Sequence, residues 1–223
     1  MKIGAAFSAI RGGLGDVFGR LALMAILCVI GAAAATGAAA WGAFTYVLPL
    51  IPEGTGFWGA MLDLADWLAG AGIVVLAIAL SPGISMMIGS ALFDVAAGRV
   101  EKAVGVPPGR MVPLGEGLAN GLRIGLPALG LNLLALPILF VPVANIVVFL
   151  LLNGGLMGRE FFSLAAVRRM SWKEASDLRK KHPLPVLIVG LAAALFPFVA
   201  PLFGAAAMTR LIAASKTDTS SAS

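Results

Sequence analysis

The sequence predicts an all-α integral membrane protein, with two long transmembrane helices, two half-penetrating (re-entrant) helical hairpins with proline tips, and cytoplasmic amphipathic segments. Three observations carry that prediction. Hydrophobic residues make up 60% of the 223-residue chain and charged residues only 12%, against about 25% charged in an ordinary soluble domain, and the mean hydropathy is +0.98. A water-soluble fold of this length could not hide so much apolar surface around one core. The ionisable residues lie between four charge-free blocks, Leu21 to Pro52, Trp67 to Phe93, Ile124 to Gly158 and Pro183 to Thr209. Finally, Lys and Arg are shared unequally among the connections, and the last two blocks carry prolines near their middles.

Each block exceeds the about 20 apolar residues that cross ~30 Å of hydrocarbon, and none is comfortably long enough to cross twice. Basic residues stay on the cytoplasmic side, whereas acidic ones contribute little to orientation. The N-terminal segment carries Lys2, Arg11 and Arg20, but the next connection carries Glu53, Asp63 and Asp66 with no base, so it lies outside. Arg99, Lys102, Arg110 and Arg123 follow, then seven bases between Arg159 and His182, then Arg210 and Lys216. All of these belong in the cytoplasm, as do both termini. Residues 21–50 and 67–93 therefore form two spans turning at Pro49, Pro52, Gly54 and Gly56, with Trp58 and Trp67 at the outer interface. The second continues as helix to about residue 104, where Gly105, Pro107 and Pro108 stop it. AAAATGAAA in the first block has the look of a signal-cleavage region, but Asp16 upstream and the apolar run on through Trp41, Phe44 and Tyr46 oppose that reading.

The last two blocks are flanked by bases on both sides, so a single crossing would strand basic residues outside. The prediction is that each enters the bilayer, turns and leaves where it began: 124–158 around Pro137 and Pro142, and 183–210 around Pro197 and Pro201. Arms of about 12 to 16 residues reach roughly 20 Å, too short to span. LNLLALPILFVPVANIVV lays over VGLAAALFPFVAPLFGAA as a weak internal repeat of the kind that brackets transport sites; two proline-kinked single spans are the alternative. Residues 159–182 form a basic amphipathic helix, with Leu164, Val167, Ser171, Ala175 and Leu178 on one side and Arg169, Lys173, Asp177 and Lys180 on the other. It would rest on anionic headgroups or dock a partner. Gly117, Gly121 and Gly125 offer a helix-packing face, and RGGLGDVFG at 11–19 is a flexible or closely packed approach to the first span. Residues 1–216 make one membrane domain, and 217–223 a disordered tail.

Enzyme chemistry lacks its parts. Cys28 and His182 are the sole residues of their types, so no intrachain disulfide, metal site or His-assisted nucleophile is expected, and no cofactor. The basic residues are accounted for by topology, so nucleic acid is not an expected partner. No ionisable residue interrupts the blocks, which argues against coupling through a buried carboxylate. A solute would meet hydroxyls, amides and backbone groups at broken helices, with arginines at the mouth.

NGGLMGREFFSLAAVRR at 153–169, ASDLRKKH at 175–182 and FPFVAPLFGAAAMTRL at 196–211, with weaker similarity in SPGISMMIGSALFDVAAGRVE at 81–101, resemble the CysZ-type sulfate permeases and the related etoposide-induced membrane proteins. The resemblance implies a bacterial inner-membrane, multi-pass protein that admits sulfate or a related small oxyanion for cysteine biosynthesis by a channel-like route. It also implies an anion-binding Gly-Leu-Arg element, often with a second Arg, at the start of the first long helix. Here that place reads FGRLAL, giving Gly19 and Arg20 without the intervening Leu or the second Arg; a literal Gly-Leu-Arg ends at Arg123 instead. Arg20 anchors the topology or contacts the anion, and Arg159 with Glu160 forms an interfacial ion pair. Backbone freed at the proline tips must be buried in protein or face water, which predicts a homo-oligomer in lipid. The alternative function is a non-transporting membrane organiser that recruits partners through the basic helix.

Overall fold

The computed structural model describes residues 1–52, 55–113, 115–116, 119, 123, 130–131, 142–196 and 198–220. No strand occurs among them. The helices are α1 (Ile3–Phe18), α2 (Ala22–Gly42), α3 (Gly56–Ala103), α4 (Pro142–Val167), α5 (Trp172–Lys181), α6 (Pro183–Ala194) and α7 (Ala200–Ser220).

Two stretches, Ala22–Leu50 and Gly56–Val74, are long and apolar enough to cross a membrane. Only Met24, Cys28 and Ala32 of α2 are buried, while Leu23, Ile26, Leu27, Val29 and Ile30 face outward. Such a surface is unfavourable in water and at home in lipid. After α2 the backbone loosens into a π turn at Ala43–Val47 and tightens into a 3₁₀ turn at Leu48–Leu50. Pro49 lacks an N–H and its ring crowds the carbonyl four residues back, which accounts for the irregular ending. The 48-residue α3 is about 72 Å long. At its far end Phe93, Ala96, Ala97 and Val100 sink into the core at helical spacing. Gly105, at φ 70°, terminates it. The Gly105 and Val106 amides donate to the Lys102 and Glu101 carbonyls at 3.4 and 3.1 Å, the paired bonds of a Schellman end.

The second predicted hairpin is seen as two helices. Chain leaves α6 at Leu195 and re-enters helix at Ala200, and Phe196 packs on Phe203 at 6.5 Å between ring centres. At about 18 Å, the 12-residue α6 is too short to span. Pro201 sits in the first turn of α7, where no intrahelical bond is lost; Pro197 lies outside the described residues. Every residue from Ala200 to Thr209 is buried, so α7 is the central post, touched by α1, α3, α4 and α6. A helix apolar on all sides belongs in such a place. Its backbone is helical to Ser220.

Of the first predicted hairpin, Pro137 lies outside the described residues and Pro142 opens α4. The single amphipathic helix expected over 159–182 is a correction. Helix α4 runs through to Val167, the chain bends at Arg168–Met170, and Ser171 starts α5. Ser171 Oγ accepts the Glu174 amide at 3.3 Å while Glu174 accepts the Ser171 amide at 2.8 Å, a capping box that begins a new helix.

Glycine sets how closely these helices approach. Gly13 of α1 lies against Ala207 of α7, where an added Cβ would come within 3.0 Å of the Ala207 Cβ. RGGLGDVFG is therefore packed helix. Gly204 leaves the space that the Phe161 ring fills, and Phe161 also stacks on Phe93 at 6.2 Å. The tightest contact joins α4 to α6. A Cβ on Gly158 would sit 2.6 Å from the Val186 carbonyl oxygen, and one on Gly190 would strike the Gly154 carbonyl and the Gly158 Cα. The Gly117, Gly121 and Gly125 face does not enter here, since 117, 121 and 125 lie outside the described residues. Because backbone stands on both sides of Gly190, neither can yield as a side chain would. Gly190→Ala is expected to lower the thermal unfolding midpoint in detergent by the equivalent of about 1–3 kcal/mol, whereas Gly4→Ala, with nothing within 4 Å, should leave it unchanged.

Candidate anion site

The charges in the described residues sort into two groups, those fully compensated and those in excess. Arg168, at the end of α4, is almost completely buried. It donates to Asp94 at 2.6 Å and to the two Glu101 oxygens at 3.3 and 3.1 Å. Arg169 reaches Glu101 at 3.0 Å and the Pro107 carbonyl at 2.6 Å. The Gly109 amide donates to Glu101 at 2.9 Å, and the Arg110 amide to the Arg168 carbonyl at 2.8 Å. Two arginines against two carboxylates leave no net charge here, and the network ties the end of α3, residues 107–110 and the end of α4 together. Burial alone pushes the Glu101 carboxyl up, but hydrogen bonds from Arg168 and Gly109 and the charges of Arg168 and Arg169 outweigh it and hold the pKa below its ordinary value.

The turn between α1 and α2 is different. Gly19 ends α1 where a Cβ would meet the Gly15 carbonyl oxygen at 2.8 Å, and the Leu21 amide reaches back to the Asp16 carbonyl at 2.8 Å. This turn sets Arg20 beside Asp16, 3.3 Å apart, with the Arg20 side chain half exposed and Asp16 buried. Arg210 of α7 grips the same carboxylate at 2.7 and 3.0 Å. Arg99 of α3 donates to the Arg20 carbonyl at 3.4 Å. Two guanidinium groups, those of Arg20 and Arg210, thus share one carboxylate, with Arg99 close by on the Arg20 carbonyl, an excess of positive charge in which the Arg20 side chain is half exposed. An anion arriving there meets charge-assisted donors whose own countercharge is insufficient.

Arg123 is elsewhere. Its guanidinium lies 5.7 Å from the centre of the Trp172 ring, and its carbonyl accepts from Arg159 at 3.2 Å. No contact among the described residues joins it to Gly19 or Arg20, so the two sequence candidates do not form one site. The expected ion pair of Arg159 with Glu160 is also corrected: no ion pair joins them among the described residues. Neighbours on a helix point about 100° apart. Arg159 turns toward Arg179 and the first turn of α6, and burial pushes the Glu160 carboxyl up. Reading the sequence missed Asp16 and Arg99 as partners of Arg20, and Arg210 as the second partner of Asp16, because these residues come from three helices and Asp16 and Arg210 stand 194 positions apart. Asp16, which has no other acidic residue before Glu53, was the one available signal.

No group of three or more His, Cys, Asp or Glu residues able to hold a metal occurs among the described residues.

Residues 11–208 match the family described as Sulfate transporter CysZ/Etoposide-induced protein 2.4. The match covers most of the chain, which therefore belongs to this family of transporters and is a membrane protein. No curated protein and no solved structure matches it.

Glu101→Gln leaves Arg168 and Arg169 short of a countercharge in a buried place, and is expected to destabilise the protein by about 3–5 kcal/mol, read as thermal unfolding in detergent at neutral pH. Since the folded pKa of Glu101 lies below its unfolded value, its contribution is complete above about pH 4.3 and is lost as pH falls through the folded pKa. The variant should lack that acid-dependent component.

Proposed function

We propose that this member of a sulfate-transporter family carries sulfate or a related small oxyanion across a bacterial inner membrane, by a channel-like and uncoupled route that supplies sulfur assimilation. The observation that carries the reading is the excess of guanidinium groups around Asp16 at the α1–α2 turn. Gly19 and Arg20 stand where the resemblance places the anion-binding element, and Arg99 and Arg210 bring the further positive charge that its missing second arginine would supply. The sequence places this turn on the cytoplasmic side, at the end of the first span.

Two apolar helices, α2 and α3, would hold the chain in the bilayer. The α6–α7 pair and the chain around Pro137 and Pro142 would enter from the cytoplasmic face and return to it. Outward-facing apolar side chains on α2 leave room for contact with lipid or with further copies, and a homo-oligomer would enclose a path that one chain cannot seal. Steering by fixed positive charge raises the local concentration of a dianion at the mouth and falls as salt rises.

Sulfate uptake into proteoliposomes tests this. Wild type should admit labelled sulfate without an imposed ion gradient, and Arg20→Ala should reduce the rate by roughly tenfold or more, the loss of about one charge-assisted contact. Its fold should survive, since Arg20 is half exposed and such pairs contribute little to stability. Absence of sulfate flux in the wild type would overturn the reading in favour of a membrane-organising protein.

A further inference from the structure

A second cationic place lies at the corner where α4, the end of α5 and the start of α6 meet. Gly155, Arg159, Arg179, Lys180, Pro183 and Leu187 help to line a cavity of about 400 Å³. Three basic side chains enter the lining and no acidic one does. The Nε atoms of both Arg159 and Arg179 are buried there without a hydrogen-bond partner. Buried donors in folded proteins are almost always paired, and a pair left open asks for a ligand or water. The partners these arginines do have are weak or occupy only part of the fork. Arg159 Nη2 donates to the Arg123 carbonyl at 3.2 Å, and Arg179 Nη2 reaches Ser176 Oγ at 3.5 Å.

The two guanidinium groups also oppose each other. Burial first, and then the charge of Arg159, pull the Arg179 pKa below its ordinary value, so the two like charges repel. The last turn of α5 adds Lys180, while α6 begins at Pro183 with no side chain capping its first turn; the positive end of its dipole faces the same corner. Gly155 keeps the floor open: a Cβ there would meet nothing nearer than the Leu187 methyl at 4.0 Å. The Gly154, Gly158 and Gly190 contact holds α4 and α6 close enough for Arg159 and Arg179 to share one cavity.

We infer that the Arg159–Arg179 corner is a binding site for a tetrahedral oxyanion, held by the two guanidinium forks with Lys180 at the rim. Forked donors match the paired oxygens of a sulfate or phosphate group, and two or three cations without an acid favour a doubly charged ion over chloride. The same chemistry is offered by free sulfate or phosphate and by the phosphate of an anionic phospholipid. The site is separate from the Arg20 turn, and the assignment concerns binding alone, so it holds whether or not the chain moves sulfate.

The test uses the full chain, purified and delipidated in a neutral detergent. One arm titrates sodium sulfate and sodium phosphate, with sodium chloride at matched ionic strength as reference, and reads thermal stabilisation and calorimetric binding. The other adds phosphatidylglycerol or phosphatidylcholine and reads bound lipid by native mass spectrometry. Stabilisation by sulfate or phosphate beyond chloride marks a free oxyanion as the ligand; retention of phosphatidylglycerol over phosphatidylcholine, with no competition by sulfate, marks the lipid. In either case Arg159→Gln or Arg179→Gln should weaken binding at least about tenfold. Arg179→Lys should recover only part of it, and Lys173→Gln, on exposed α5 surface, should bind as wild type. A purely structural role would show as lost stability of the ligand-free protein, which Arg179→Gln should instead leave as stable as wild type or more so, because a repulsion is removed. Binding of the anions and of phosphatidylglycerol equal in wild type and both Gln variants, or no binding of any of them to the wild type, would overturn the assignment. So would loss of ligand-free stability in Arg179→Gln together with unchanged affinity.

Discussion

The contact of α4 with α6 at Gly154, Gly158 and Gly190 is the constraint on which the arrangement depends. In lipid the tails are as apolar as the side chains, so helices gain little from hiding apolar surface from one another and associate through close van der Waals packing. Small residues permit that packing by letting backbones approach. With α6 drawn onto α4, the short α5 between them in sequence is folded back at the corner, and α7 returns along the group with Gly204 under Phe161. Phe161 then carries the contact on to Phe93 of α3. A side chain larger than hydrogen at Gly190 would push α6 away and disturb each later contact in that series.

Charge follows from this packing. Where α3 and α4 end together, buried arginines and carboxylates match, and the network acts as a clasp. The α1–α2 turn and the α4–α5–α6 corner are unbalanced toward positive charge, one with a single carboxylate shared by two guanidinium groups and the other with none in its lining. A chain of a sulfate-transporter family thus keeps spare cationic donors at two separate places rather than at one. The distinction matters because a buried arginine already gripping Asp94 and Glu101 has its charge matched and its fork out of reach, however conspicuous it looks in sequence.

Composition made the membrane character and the first long apolar helix legible, because both depend on sums over many residues. The break between α6 and α7 was legible too, since proline and its neighbours interrupt a helix locally. The ion pairs were not. Asp16 with Arg210, or Arg168 with Asp94 and Glu101, join residues whose meeting depends on the relative rotation of separate helices, which no local pattern encodes. The basic stretch 159–182 was read as one helix because its periodicity runs through Ser171, yet Ser171 and Glu174 together make a helix start stronger than that continuity. NGGLMGRE carried a family resemblance in sequence. Its physical content, two glycines under α6 and an arginine aimed into a cavity, needed the partner helix to become visible.

The close approach of α4 and α6 can be measured directly by crosslinking Gly154→Cys with Leu191→Cys in a Cys28→Ala background. A Cβ at Gly154 lies 3.0 Å from the Leu191 Cα, within reach of the about 3.5–4.5 Å Cβ separation of a disulfide once the Leu191 side chain is removed. The account predicts rapid, near-complete intramolecular disulfide formation under mild oxidation in the membrane, seen as a linked peptide pair by mass spectrometry. Two thiols that both react with a maleimide but form no disulfide with each other would contradict it.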